Sequence, residues 1–125
     1  MKIEVSNGEI LDKLSILEIK CLKIKDKLKL ANVENERRHL LPMYHLIVTS
    51  PDIHEKFNEL TDVNLILWEI EDKIRAKEKQ EQFDHEFIQL ARSVYKTNDI
   101  RASIKRDINL MSNSNLIEEK SYEKY

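Results

Sequence analysis

The side chains best placed to do chemistry are two pairs of acids. Glu9 and Asp12 stand three residues apart, and Glu69 and Asp72 repeat that spacing. On an α-helix a step of three puts both carboxylates on one face. Two such pairs on facing helices could hold a divalent cation through oxygen ligands, the arrangement used by the all-helical nucleotide pyrophosphatases. Here the pairs lie in distant parts of the chain, and the first has Asp where that pattern has Glu. Lys13 adjoins the first pair, and Arg92, Asn98 and Arg101 gather late in the chain. Arginine offers a planar fork of donors suited to carboxylate or phosphate. The expected site is therefore Glu9, Asp12, Lys13, Glu69, Asp72, Arg92, Asn98 and Arg101. Its acids are the metal candidates and its arginines would hold a small anionic ligand. The competing expectation, and the commoner fate of such charges, is that they line solvated helix faces or make surface ion pairs.

Other chemistries find less support. Arg75, Arg92, Arg101 and Arg106 could clamp a dicarboxylate as in chorismate mutase-like bundles, but the first helix has no arginine to share that work. His39, His45, His54 and His85 show neither HxxxH nor HExxH spacing, so no zinc site is expected. There is no glycine-rich phosphate loop, no nucleophile elbow and no CxxC pair. Cys21 is the single cysteine and falls on an apolar stripe, as a buried and inert thiol would. Arg101, Lys105 and Arg106 beside Tyr95 make a basic patch without a nucleic-acid reading motif, and the net charge of −2 supplies no general pull toward nucleic acid or anionic lipid.

The elements that must position these groups read as helices. One glycine and two prolines in 125 residues argue against β-turns. From Val5 to Leu30 the chain reads as one long amphipathic helix. Ser6 and Glu9 form a capping box, Val5 and Ile10 a hydrophobic staple. Ile10, Leu14, Leu17, Cys21, Ile24 and Leu28 recur at steps of four and three, a single helical stripe widened by Leu11 and Leu22. Gly8 is read as a tolerant first-turn residue; letting a ligand or a second backbone come close is the other use of such a position. Ala31 to Leu41 continues as a weaker helix until Pro42 breaks or kinks it. Met43 to Thr49 is apolar and too short to classify. Ser50-Pro51 starts a second long helix, to about Gln80, whose stripe is Phe57, Leu60, Asn64, Leu67, Ile70 or Glu71, and Ile74, with Val63 and Trp68 beside it. Shorter helices are expected near Asp84 to Tyr95 and Asp99 to Met111, interrupted at Thr97 and Asn98. Phe87, Leu90, Ala91 and Val94 are expected inward in the first of these, and Ile100, Ile104, Ile108 and Met111 form the stripe of the last at steps of four, four and three. Ser112 to Asn115 ends regular structure, and Leu116 to Tyr125 is a docked or frayed tail.

Charge is uneven along these helices. Asp52 to Asp72 has seven acids and one base; Lys73 to Lys79 has four bases and one acid. Acids early and bases late suit the helix dipole. They would also set acid against base if the same helix paired antiparallel with a second copy, with Trp68 near the sign change and hence near the centre of an interface. A thirty-residue helix is about 45 Å long, too long for a compact domain of this size to cover alone.

The segments SNGEILDKLSILEIK (Ser6–Lys20), LWEIEDKIR (Leu67–Arg75), FIQLARSVYKTNDIRASIKRDIN (Phe87–Asn109) and EEKSY (Glu118–Tyr122) resemble a small bacterial and phage family of unknown function, encountered near genes for cell-surface polysaccharide synthesis. The resemblance spans nearly the whole chain. It implies a stand-alone helical domain and supplies no activity, substrate or catalytic residue.

Together these readings give one all-α domain over residues 1–125, an elongated helical bundle with two long and two or more shorter helices. No apolar run is long enough to span a membrane, and the N-terminus lacks an apolar signal core, so a cytoplasmic location is expected. The expected role is a homodimeric interaction or accessory module, linked through the resemblance to polysaccharide synthesis, that needs no cofactor. The alternative is a metal-dependent all-α enzyme acting on a nucleotide or nucleotide-sugar, with a divalent cation as its cofactor.

Overall fold

The computed structural model describes all residues 1–125 and is built from four helices with no strand. α1 is Asn7–Lys23, α2 Lys27–Ile47, α3 Pro51–Lys79 and α4 His85–Met111. The all-α bundle follows the sequence, while several helix boundaries do not.

α1 starts where the cap requires. Ser6 is extended and its Oγ accepts from Glu9 N at 3.2 Å. The Glu9 carboxylate turns away from the helix start to take Lys105 Nζ at 2.7 Å. α1 then ends at Lys23, well short of Leu30. Ile24 is extended, and Asp26 accepts from Lys29 N at 3.0 Å to cap a new helix. An Asp N-cap among lysines resets the chain, and the stripe lapses there: Leu22 and Leu28 are about 80% exposed. Cys21 is half-buried rather than sealed in, its thiol pushed up first by burial and next by the Glu18 carboxylate.

α2 folds back along α1, tied by Lys13–Glu36 at 2.8 Å and Arg37–Glu18 at 2.7 Å. Pro42 does not break it. Leu40, Met43, Tyr44 and Ile47 on either side pack into the core, and that packing outweighs one missing backbone hydrogen bond. The apolar run from Met43 is thus helical to Ile47. Ser50 caps α3 with proline at its first position, as read from the sequence.

α4 is one continuous helix. Thr97 and Asn98 are weak helix formers, but packing against α3 overrides a propensity of a few tenths of a kcal/mol. Both long helices, now α3 and α4, end on a left-handed residue. Glu81 has φ 53° and Asn113 φ 52°. In each case the next N–H returns to a carbonyl in the last turn, Gln82 to Lys77 and Ser114 to Asn109, which satisfies end groups that would otherwise lack partners.

α1 packs on each of the other three helices. The core lies at one end, where Leu11, Leu14, Ile47, Ile53, Leu60, Ile104 and Ile108 meet. Leu17 is buried in α1, as its place on the stripe requires; Ile100 and Met111, expected inside, are exposed. α3 and α4 are about 43 and 40 Å long at 1.5 Å per residue, against about 25 Å for α1, so their paired ends run on past it. At the far tip Asp84 caps α4 and also takes Lys77 Nζ at 2.8 Å.

Gly8 marks the closest crossing. A Cβ there would sit 2.5 Å from the Lys105 carbonyl oxygen and 2.9 Å from Asn109 Oδ1. The close-approach use of this glycine, rather than mere tolerance, is the one realised. Gly8→Ala should therefore force α1 and α4 apart and cost about 1–3 kcal/mol, as overpacking does. A thermal midpoint equal to that of the wild type would mean the helices cross less tightly. The tip gives a pH test. The Lys77 ammonium, and then the Phe87 N–H, hold the Asp84 carboxylate below its ordinary range. A carboxylate lowered on folding stabilises above its unfolded value, and that contribution is lost as pH falls through the lowered one. Amide exchange at residues 80–88 should therefore gain on the core as pH falls below about 4, the ordinary value for an aspartate, and go on gaining through the lowered one.

Candidate functional site

The polar residues of the sequence motifs converge where α1, α3 and α4 cross. Asp12 is at the centre, 1% exposed. Its Oδ1 accepts from Arg101 Nε at 2.9 Å and from Asn64 Nδ2 at 2.9 Å. Its Oδ2 accepts from Arg101 Nη2 at 2.5 Å. This is the two-pronged arginine–carboxylate pair in which both partners are charged and both hydrogen bonds are short. The Asp12 carboxylate raises the affinity of Arg101 for its proton, first through those hydrogen bonds. Lys105 stands behind, its Nζ 2.7 Å from Glu9, 3.9 Å from Asp12 Oδ2 and 3.7 Å from Glu118 of the tail. The Ser15 hydroxyl donates to the Asp12 carbonyl at 2.7 Å and accepts from Asn64 Nδ2 at 2.7 Å.

Asn109 and the last residues of α4 anchor the start of α1. Asn109 Oδ1 accepts from Gly8 N at 2.6 Å, and Ser112 and Ser114 accept from Asn7. The bonds from Asn7 N and Gly8 N satisfy backbone N–H groups that a helix start leaves without partners, and the Asn7 side-chain amide adds the third. No buried side-chain nitrogen or oxygen in the molecule lacks a partner. An interior that holds charges has to be paired in this way.

Of the expected site residues, Asp12, Asn98 and Arg101 come together, with Arg101 Nη1 reaching Asn98 Oδ1 at 3.5 Å. Glu9 joins through Lys105. Asp72 reaches the rim of a cleft of about 470 Å³ that Asn64, Asn98 and Arg101 also line. Glu69 is exposed outside that cleft. Arg92 is exposed and reaches only Gln89, at 3.5 Å. Lys13 faces α2 through Glu36. The acids Glu9, Asp12, Glu69 and Asp72 do not gather into a group of three or more that could hold a metal ion, and nor does any other set of acids, histidines and the cysteine.

Sequence reasoning passed over Ser15, Asn64 and Asn109 as members of this cluster, and placed Lys105 only in a surface patch. Asn64 carried a signal, since it is the amide among the apolar side chains of the α3 stripe. A polar residue on such a stripe needs a buried partner.

The tail docks on α4. Glu119 pairs with Arg106 at 2.5 Å, Tyr125 donates to Asp99 at 2.6 Å, and the rings of Tyr95 and Tyr125 lie 5.2 Å apart. Residues 115–125 are all exposed and lack regular structure.

A four-helix protein whose crossing point is locked by one charged network is the class that fold and site define. The chain belongs to a family of unknown function, DUF6165, whose model matches residues 1–125. No curated protein matches it, and no solved structure does. No helix is long and apolar enough to cross a membrane.

Removing one partner of a buried ion pair leaves the other charge stranded. Asp12→Ala should cost about 3 kcal/mol, the low end of the usual range because the Arg101 side chain, 28% exposed, can relax toward water. In Asp12→Ala/Arg101→Met the second change should add much less than it does alone, since both act on one pair. Urea unfolding measures all three proteins. A single-mutant loss below about 0.5 kcal/mol would place Asp12 among ordinary surface acids.

Proposed function

We propose that this protein is a homodimeric interaction module whose pairing surface is the arm formed by the ends of α3 and α4. One observation carries the reading: from Leu65 to Ser103 not one residue is buried, although that stretch includes Leu67, Trp68, Ile70, Ile74, Phe87, Leu90 and Val94. Ile66, Ile88 and Tyr95 lie on the arm at 48%, 51% and 42% exposure. A two-helix hairpin covers only one side of its apolar seam, and two hairpins laid together make a four-helix bundle that covers both. With 17 of 125 residues buried, a single chain has a small core from which to hold such an arm straight.

Charge supports a second copy as the partner and selects the way it packs. Near its root the arm carries Glu69, Glu71 and Asp72 on α3 and Arg92 and Lys96 on α4. Near its tip the signs reverse, with Lys73, Arg75, Lys77 and Lys79 on α3 and Asp84 and Glu86 on α4. In an antiparallel pair of arms the tip of one lies against the root of the other. Opposite charges then meet when α3 faces the partner's α3 and α4 faces the partner's α4, and like charges meet when α3 faces α4. Such pairs set orientation more than affinity, which comes from at least about 1,000 Å² of buried surface.

Light scattering at micromolar concentration should give a mass near twice 14.9 kDa. Ile88→Glu should shift it toward the single-chain value and leave helix content unchanged. A wild type that stays at 14.9 kDa throughout would refute the dimer.

A further inference from the structure

The cleft beside the Asp12 network has a polar edge left open by the way that network is satisfied. Asn64 is 5% exposed. Both hydrogens of its amide nitrogen are taken, one by Asp12 Oδ1 and one by Ser15 Oγ. Asp12 Oδ1 can only accept, so the nitrogen must face it and the orientation of the amide is fixed. Asn64 Oδ1 therefore points the other way, accepts from no protein donor and, since every sealed side-chain oxygen has a partner, is open to solvent on a residue that lines the cleft.

Arg101 is placed similarly. Its Nε and Nη2 are spent on Asp12, while Nη1 has only a 3.5 Å contact with Asn98 Oδ1. Asn98 Nδ2 donates to nothing in the protein. One wall thus offers an acceptor from a side chain more than nine-tenths buried, beside two underused donors. The remaining wall is apolar, from Ile16, Leu67 and Trp68.

We propose that this cleft binds the base of a free nucleoside. Each nucleobase carries a donor next to an acceptor on one edge and a flat apolar face, and proteins read unpaired bases by bonding that edge and stacking the face on an aromatic ring. The base donor would meet Asn64 Oδ1, and its acceptor Arg101 Nη1 or Asn98 Nδ2. The volume, about 470 Å³, is in the range of small-molecule sites. Charge at the rim separates a nucleoside from a nucleotide or a nucleic-acid strand. Arg75 is already bonded to Glu71 at 3.2 Å, and Asp72 lines the cleft beside it. Arg101 is neutralised by Asp12. The opening therefore does not favour phosphate.

Trp68 is the chain's single tryptophan, so its emission reports on this cleft without a second indole in the chain. Titration of the full-length protein with adenosine, guanosine, cytidine and uridine should give saturable quenching with at least one of them. The matching 5′-monophosphate should bind no more tightly, and a single-stranded oligonucleotide more weakly. Asn98→Ala should weaken binding about tenfold, the worth of one well-placed hydrogen bond, while Lys25→Ala, exposed and outside both the cleft and the arm, leaves it unchanged. In the wild type, the side-chain amide resonances of Asn64 and Asn98 should move together with the quenching. That second measurement stands even if the Asn98 variant fails to fold. The proposal is overturned by absence of saturable quenching at millimolar nucleoside, by amide signals that stay fixed while Trp68 responds, or by tighter binding of the oligonucleotide. Leu67, Trp68, Asp72 and Arg75 belong both to this cleft and to the arm proposed for pairing, so light scattering is repeated with nucleoside present: a doubled mass without quenching overturns this proposal and leaves the dimer, and quenching at the single-chain mass does the reverse.

Discussion

A carboxylate shut away from water cannot be left to itself. Taking the charge of Asp12 out of solvent costs several kcal/mol, and the structure around it is arranged to offset that cost. Arg101 approaches from α4 with two donors, Asn64 from α3 with one, and Lys105 adds a second positive charge behind. Three helices are thereby fixed in register by one side chain, because each donor must reach the same pair of oxygens. A hydrophobic core fills space without insisting on one alignment; a buried ion pair with directed hydrogen bonds does insist. For this protein we take that as the network's structural role, since apolar substitutes of similar volume are often as stabilising as a buried ion pair or more so.

The tight crossing at Gly8 is the geometric counterpart of that charge pairing. The α1 backbone lies against the Lys105 carbonyl, and Asn109 completes the contact by accepting from Gly8 N. Lys105 itself reaches Glu9, the residue next to Gly8. Backbone contact, amide cap and ion pairs all fall along the same two turns of α4, so disturbing one displaces the others. The other end of α4 has nothing comparable. Beyond Arg101 toward the tip the arm is held by α3 and by the tail, where Tyr125 meets Asp99 and Tyr95, with Lys77 bridging Asp84 and Glu86 across the turn. The molecule thus has a specified end and an underdetermined one. The underdetermined end is where a partner has most to contribute.

What could be read from the sequence follows from which signals are local. Ser6 and Ser50 cap their helices because a cap needs only a side chain and the next turn, and both were legible. The buried stripe through Leu14, Leu17 and Leu60 was legible because apolar residues recurring with a period of 3.6 mark a helix face and little else. The breaks were not. Asp26 stops a stripe that looks continuous because it caps a new helix within the run, and Pro42 fails to stop one that looks broken because tertiary packing holds it. The single helix across Thr97 and Asn98 has the same cause. Likewise the acid-x-x-acid spacing predicted which acids share a helix face but not which way that face would turn. Glu9 and Asp12 turned toward α4, Glu69 toward solvent.

The informative residues were the ones that broke a pattern. An amide on an apolar stripe, at Asn64, costs stability unless something buried answers it. A glycine in a helix gives up backbone order that alanine would supply, a loss with a purpose where a neighbour needs the space. In both places the structure supplies the reason: Asp12 and Ser15 for the amide, the Lys105 carbonyl for the glycine. The charged residues, far more numerous, gave no such guidance. A charge on a long flexible stem is stable in water in almost any fold, so its presence on a helix says little about where it points. Asp12 differs from the other acids of this chain only through what Arg101, Asn64 and Lys105 bring to it from distant parts of the sequence. Nothing within a turn or two of Asp12 could have marked it as the centre.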